Sequence, residues 1–222
     1  MHLNPKVKDA LEWAVCILIA VVLALIIKYY IGTPTIVEST SMKPTLEDGQ
    51  RLWLNRTIRT FKDEIKRGEI VTIEAPSVPK VENYDESKLP IAEYKEIEDS
   101  FEKFMYYVFE VGKTSYIKRV IGLPGDHIEI KEGHVYINGE ILKEEYLPRG
   151  LETEKAGVFY DLIVPEETVF LMGDNRNKSM DSRSFGCVPI SKIESKVGFR
   201  FWPIELFGSV EWNKGDVHFC SA

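Results

Sequence analysis

Residues 13–27 carry no charged side chain and read Trp-Ala-Val-Cys-Ile-Leu-Ile-Ala-Val-Val-Leu-Ala-Leu-Ile-Ile. A run this apolar has no polar face to offer water, so it must be covered by protein or by lipid. As a helix its 15 residues span about 22 Å, short of a hydrocarbon core of about 30 Å. The flanks make up the difference. Leu11 extends one end, Tyr29, Tyr30 and Ile31 extend the other, and Lys28 can snorkel toward headgroups. Trp13 and the two tyrosines fall where an aromatic belt would place them, and Gly32 and Pro34 stop the helix. A cleaved leader is the competing reading, but no Ala-x-Ala site follows. A buried core helix fits poorly at the edge of a domain this small. The run therefore predicts an uncleaved anchor over residues 11–31. Lys6 and Lys8 before it, against Lys28 alone after it, favour a cytoplasmic stretch at residues 1–10.

The chain beyond the anchor, residues 32–222, is long enough for one domain. Lys and Arg total 28 against 35 Asp and Glu, which argues against a nucleic-acid partner. Three cysteines, one inside the apolar run, exclude a disulfide framework and a four-cysteine zinc site. The pairing of Cys187 and Cys220 stays open. Short apolar runs separated by turn residues predict a mainly β, mostly antiparallel domain. Ile128-Glu129-Ile130, Glu132-Gly133, Val135-Tyr136-Ile137 and Asn138-Gly139 give a hairpin and meander signal. The runs 70–73, 169–172 and 197–202 read as further strands. Residues 76–110 differ: the stretch is acidic, and Tyr94, Ile97, Phe101, Phe104 and Met105 step by three and four, predicting about three helical turns. A membrane-touching flap and a solvated helical insertion both fit. The acidity makes anionic lipid unattractive and favours the insertion.

Three segments can carry chemistry. Ser39-Thr40-Ser41-Met42-Lys43-Pro44-Thr45 lies just after the anchor, Tyr116 to Asp126 is a strand running into a Gly-Pro turn, and Gly173 to Arg183 is a polar loop. Singly, each has a plain reading as a turn, an exposed strand lysine or a loop. In this order behind one anchor, and with Arg67-Gly68-Glu69-Ile70-Val71 between the first two, they resemble bacterial type I signal peptidases.

The resemblance implies a serine endopeptidase that removes signal peptides from exported preproteins, with Ser41 as nucleophile and Lys118 as general base. A lysine at its ordinary pKa of about 10.4 is neutral only about four times in ten thousand at pH 7, whereas one lowered to about 8 is neutral about a tenth of the time. Burial can do this to a lysine but not to an arginine, so Arg119 is no rival. Ser179 matches the serine that orients the lysine amine. Asp181 and Arg183 match a bracing ion pair that Arg119 would join. Ser39 matches the hydroxyl that helps the Ser41 N–H bind the oxyanion. Glu38 and Thr40 depart from the common Pro-Ser-Gly-Ser, and Asn177-Lys178 stands where Asp-Asn is frequent. Met42 and Ile117 are expected to line shallow pockets for small residues before the cut.

The other expectations are the lipid bilayer as a partner, an extracytoplasmic catalytic domain, no metal and no cofactor. A His-based mechanism is disfavoured, since His127 reads as a turn residue and neither His2, His134 nor His218 occupies the base position. Two other classes compete. A self-cleaving LexA-like repressor would begin with a DNA-binding domain in place of an anchor, and a noncatalytic module would lack Ser41 or Lys118.

Overall fold

The computed structural model describes residues 5–61, 63–85, 87–210 and 219–220. The first element, α1 (Pro5–Ile26), runs on into a wider π-type turn over Ile27–Ile31. It starts earlier than the apolar run alone predicts. Its first two turns are charged, with Lys8 and Glu12 3.8 Å apart at i,i+4 spacing, and Pro5 at its first position fits a helix start. From Lys6 to Ile31 the helix is long and apolar enough to cross a membrane, and none of its most apolar stretch is buried against the protein. The Gly32 N–H closes the end by donating to the Ile27 carbonyl. Only glycine fits at position 32, since a Cβ there would lie 2.5 Å from the Leu54 carbonyl oxygen.

Gly32 is also the first residue of β1 (Gly32–Ile36), which pairs along its whole length with β2 (Arg51–Asn55). No linker separates helix from sheet. After α2 (Ile58–Phe61) come β3 (Ile70–Glu74), α3 (Ser100–Val108), β4 (Ser115–Gly122), β5 (His127–Lys131), β6 (His134–Ile137), β7 (Glu140–Leu142), β8 (Asp161–Ile163) and β9 (Thr168–Met172). Then follow α4 (Ser182–Phe185), β10 (Val188–Pro189), β11 (Ile193–Trp202), β12 (Gly208–Ser209) and β13 (Phe219–Cys220). The larger sheet has the order β1-β2-β11-β3-β4-β9-β10, with β12 on β11, and the smaller has β13-β7-β6-β5-β8. All of these strand pairs are antiparallel. The mainly β expectation holds.

The smaller sheet follows its sequence pattern closely. Ile128, Ile130, Val135 and Ile137 alternate into one buried cluster with Phe170 and Met172. Glu132-Gly133 and Asn138-Gly139 have positive φ at both positions, as two-residue primed turns require. In the larger sheet every residue of β3 and β9 is buried, which fits central strands covered on both faces.

Residues 76–110 hold less helix than the periodicity predicts. α3 begins only at Ser100, where the Asp99 carboxylate caps it by accepting the Glu102 N–H at 2.7 Å. Tyr94 instead packs on the core, drawn in by backbone hydrogen bonds that tie Ala92 to Cys187 and Ser77 to Glu93. His127 is likewise no turn residue. It opens β5, exposed, with Nε2 2.8 Å from Asp161 Oδ1. His134 opens β6, whereas His2 and His218 lie outside the described residues. Cys187 is a free, buried thiol whose pKa burial pushes up to about 12, and the Cys220 side chain is not among the described ones.

Candidate active site

Leaving β1, the chain folds Ser41 into a tight turn in which the Leu46 N–H reaches the Met42 carbonyl at 2.9 Å. Met42 and Leu46 pin this turn by burying their side chains with Val37, Leu52 and Ile70. Met42 is thus closed into the core instead of open beside Ser41, and Ile117, half-buried, packs against the same cluster. Across from the turn runs β4, whose Lys118 pairs with Val71 of β3.

The Lys118 amine lies 2.9 Å from Ser41 Oγ and donates to the Ile117 carbonyl at 3.1 Å. The two residues are only 3% and 6% exposed. The amine also sits 5.4 Å from the centre of the Tyr116 ring. Burial lowers the Lys118 pKa to about 8, overcoming the opposite pull of Asp181 and Asp174, and Arg183 adds to the lowering. Dryness decides the outcome because the charges around the amine come as paired opposites.

Those pairs differ from the expected arrangement. Asp181 and Arg183 do form a fully buried two-point pair, at 2.8 Å for each contact. Arg119 does not join them. It grips Asp174 instead, Nε to Oδ1 at 2.8 Å and a terminal nitrogen to Oδ2 at 2.6 Å. Register explains the choice: Arg119 stands opposite Met172 in the β4–β9 ladder, so the nearest acid on the following loop is Asp174. Asp174 also accepts from the Thr45 hydroxyl at 2.5 Å, and Arg119 donates to the Gly68 carbonyl at 2.8 Å. One buried carboxylate thereby ties β4 to the Ser41 turn.

The loop beyond Asp174 completes the clamp. The Asn175 N–H donates to the Ser41 carbonyl at 2.9 Å, and its side-chain amide donates to the Thr40 carbonyl at 3.0 Å. Arg176, fully buried, reaches Glu144, Thr153 and the Tyr146 hydroxyl, joining this loop to the turns of the smaller sheet. Sequence reading passed over Asp174, Asn175 and Arg176. The available signal was Arg119 itself, a buried strand arginine that needs a carboxylate, but sequence alone could not choose between Asp174 and Asp181.

The Ser39 hydroxyl stands 3.1 Å from Ser41 Oγ and accepts the Ser41 N–H at 3.2 Å. Ser179 Oγ is buried and, among the described residues, makes no hydrogen bond, so it is not joined to the Lys118 amine. Its position is nevertheless tightly set. A Cβ on Gly173 would fall 2.2 Å from Ser179 Oγ and 2.5 Å from the Ser41 carbonyl oxygen. Gly173→Ala must therefore displace the Ser41 turn or the Ser179 loop. Misplacement of reacting groups by about 1 Å costs on the order of 100-fold in rate. A loss of that size in kcat, with KM little changed, is the expected result in a cleavage assay. Asn177 and Lys178 are exposed.

Among the described residues no cluster of His, Cys, Asp and Glu could hold a metal ion. A buried serine–lysine pair with a hydroxyl and a backbone N–H beside the serine oxygen is chemically equipped for acyl transfer.

A family model described as signal peptidase, peptidase S26, matches residues 10–202. Signal peptidase I of Bacillus licheniformis is 38% identical over 205 residues, covering 89% of this chain and 91% of its own length. Signal peptidase I T of Bacillus subtilis (strain 168) is 36% identical over 205 residues, with 89% and 88% covered. A solved signal peptidase I from Enterococcus faecalis V583 aligns with 61% of this chain and 97% of its own at 23% identity and a TM-score of 0.38. The family model and the Bacillus relatives carry the assignment: this chain belongs to the signal peptidase I family.

Proposed function

We propose that the chain is a membrane-anchored signal peptidase in which Ser41 is the nucleophile and Lys118 its general base. Membership of the family supports cleavage of signal peptides from preproteins by a serine protease. The observation that carries the finer reading is the 2.9 Å contact between the buried Lys118 amine and Ser41 Oγ. The neutral amine takes the hydroxyl proton as Ser41 attacks the scissile carbonyl. It then gives that proton to the leaving amine, and later takes one from the water that hydrolyses the acyl-enzyme. The oxyanion is held by the Ser41 N–H and by the Ser39 hydroxyl, once that hydroxyl turns from the nucleophile to the substrate. Asp174, Arg119, Asp181 and Arg183 keep the two reacting groups in register without touching substrate. Ser179 lines the rear of the site, next to Gly173.

Substrate binds as an added strand. The β4 residues Ser115–Lys118 pair with β3 on one side, whereas β9 begins to pair only at Arg119. On that side the backbone of Ser115–Lys118 has no strand partner among the described residues, and this edge leads straight to Lys118. Met42 is buried in the cluster against which Ile117 packs, which supports a shallow surface suited to small residues at the first and third positions before the cut. The span Lys6–Ile31 is 26 residues, or about 39 Å of helix, enough to cross a bilayer with some tilt. With Lys6 and Lys8 on the cytoplasmic side, the β domain lies outside.

Incubation with a preprotein and sequencing of the new N-terminus tests this reading, and its pH dependence tests the base. With Lys118 near pKa 8, the active neutral form is lost as pH falls. From pH 7 to pH 6, kcat/KM should drop about tenfold, and it should level off above about pH 9. A profile flat between pH 6 and 9, or one still climbing toward pH 10.5, would contradict the assignment.

A further inference from the structure

Two buried ion pairs fix one half-buried residue between them. Asp174 is fully buried in the grip of Arg119, and Arg176 is fully buried in its bonds to Glu144 and Thr153. Asn175 joins the two, so its backbone has little freedom to move. From this platform it reaches the Ser41 turn twice. Its N–H donates to the Ser41 carbonyl at 2.9 Å, and its side-chain Nδ2 donates to the Thr40 carbonyl at 3.0 Å.

The second contact matters because of what shares the Thr40 carbonyl's peptide group. A peptide bond is planar and trans, so the Thr40 C=O and the Ser41 N–H form one rigid plate and point in opposite directions. Fixing the carbonyl on one side aims the N–H on the other. The Ser41 N–H is aimed at the Ser39 hydroxyl oxygen, 3.2 Å away. Asn175 Nδ2, the Thr40–Ser41 amide and Ser39 Oγ thus form one hydrogen-bonded chain, in which each bond polarises the next. The Lys43 N–H also reaches the Thr40 carbonyl, but at 3.3 Å and from within the same turn, so it moves with the plate. Asn175 holds the plate from outside the turn.

Taking Ser41 as the nucleophile, as proposed above, we infer that the Asn175 side chain is a positioning residue for the oxyanion hole, aiming and strengthening the Ser41 N–H through the peptide plane it shares with the Thr40 carbonyl. When Ser41 Oγ adds to the scissile carbonyl, the π pair of that carbonyl becomes the oxyanion, and the Ser41 N–H donates to it. A donor already aimed needs no reorganisation at that moment. The residue type fits the role. An asparagine amide can donate to a carbonyl, whereas an ionised aspartate of the same shape has acceptors only. Asn175 acts through the N–H and not on the Lys118 amine, so the base is left unaltered.

The test uses the full-length protein and two ligands built on one cleavage-site peptide. One ends in an aldehyde, to which Ser41 Oγ adds while its proton passes to Lys118 and the carbonyl oxygen becomes an oxyanion. The other ends in the corresponding alcohol, which has no carbonyl to attack. Asn175→Ala keeps the backbone bond to Ser41 and lets water satisfy the Thr40 carbonyl without holding it. The expected result is a fall in kcat of about tenfold with KM unchanged, less than the roughly 10²–10³-fold that losing a whole oxyanion donor costs. The aldehyde should bind more weakly by the same factor. The alcohol should bind as before, and the pH midpoint near 8 should stay. Asn175→Asp should fall lower still. An unchanged kcat in Asn175→Ala overturns the proposal. So does a loss shared by aldehyde and alcohol, or a pH midpoint displaced upward, because the effect then passes through the whole turn or the base. Ser41→Ala separates the two levels. Cleavage that survives Ser41→Ala sinks the nucleophile assignment and this inference together, whereas tight aldehyde binding lost in Ser41→Ala but kept in Asn175→Ala sinks the inference alone.

Discussion

Lys118→Ala should lower kcat/KM by roughly a thousandfold, within the 10²–10⁴ range that a positioned general base contributes. Lys118→Arg should be no better, since a guanidinium stays charged at every working pH and cannot accept the Ser41 proton. Lys118→Met provides the control for packing. It keeps an unbranched chain of similar length at a position only 3% exposed, so its fold should survive while its activity does not. The two members of the pair act as a unit. Ser41→Ala combined with Lys118→Ala should therefore be hardly worse than either change alone. Losses that multiply in the double variant would mean that the two side chains act independently.

Asp174→Ala should be the most damaging single change outside the reacting pair, and it should act first on stability. Arg119 is 0% exposed, and its two-point contact with Asp174 is its carboxylate partner. Removing one member of a buried ion pair leaves a desolvated charge uncompensated and costs about 3–5 kcal/mol. For a domain of this size about 1 kcal/mol moves Tm by about 2–4 °C, so a fall of roughly 6–20 °C is expected in thermal unfolding. Thr45 loses its acceptor at the same time, so any folded fraction should also turn over more slowly through a loosened nucleophile turn. Asp174→Asn keeps the volume and one acceptor, and should fall between the parent and the alanine variant. An alanine variant as stable as the parent would show that Arg119 is not held in the way described.

How far the sequence discloses this molecule depends on whether a feature is local. The hairpins from Ile128 to Gly139 are legible because two-residue alternation and paired turn residues act over a few positions. The apolar helix is legible for the same reason. The start of α3 is not, because Tyr94 keeps helical spacing while tertiary hydrogen bonds at Ala92 and Glu93 pull its segment onto the core. In the site, Ser41 and Lys118 stand out through their motif and through the chemistry a lysine allows. The partner of Arg119 depends on strand register between β4 and β9, which no single segment encodes. Met42 shows the same limit: its neighbours in the cluster, Leu52 and Ile70, come from separate strands, and only the fold reveals that it is buried.

The account turns on the protonation of one amine, and that can be followed directly. Lysine side chains labelled with ¹³C give a Cε resonance that moves as the neighbouring nitrogen titrates, and the Lys118 signal is identified by its absence in Lys118→Met. In the folded protein this resonance should titrate near pH 8, well below the ordinary lysine value of 10.5, and Ser41→Ala should perturb it. A Lys118 signal that titrates at the ordinary lysine value, and that ignores the loss of the Ser41 hydroxyl, would contradict the mechanism at its centre.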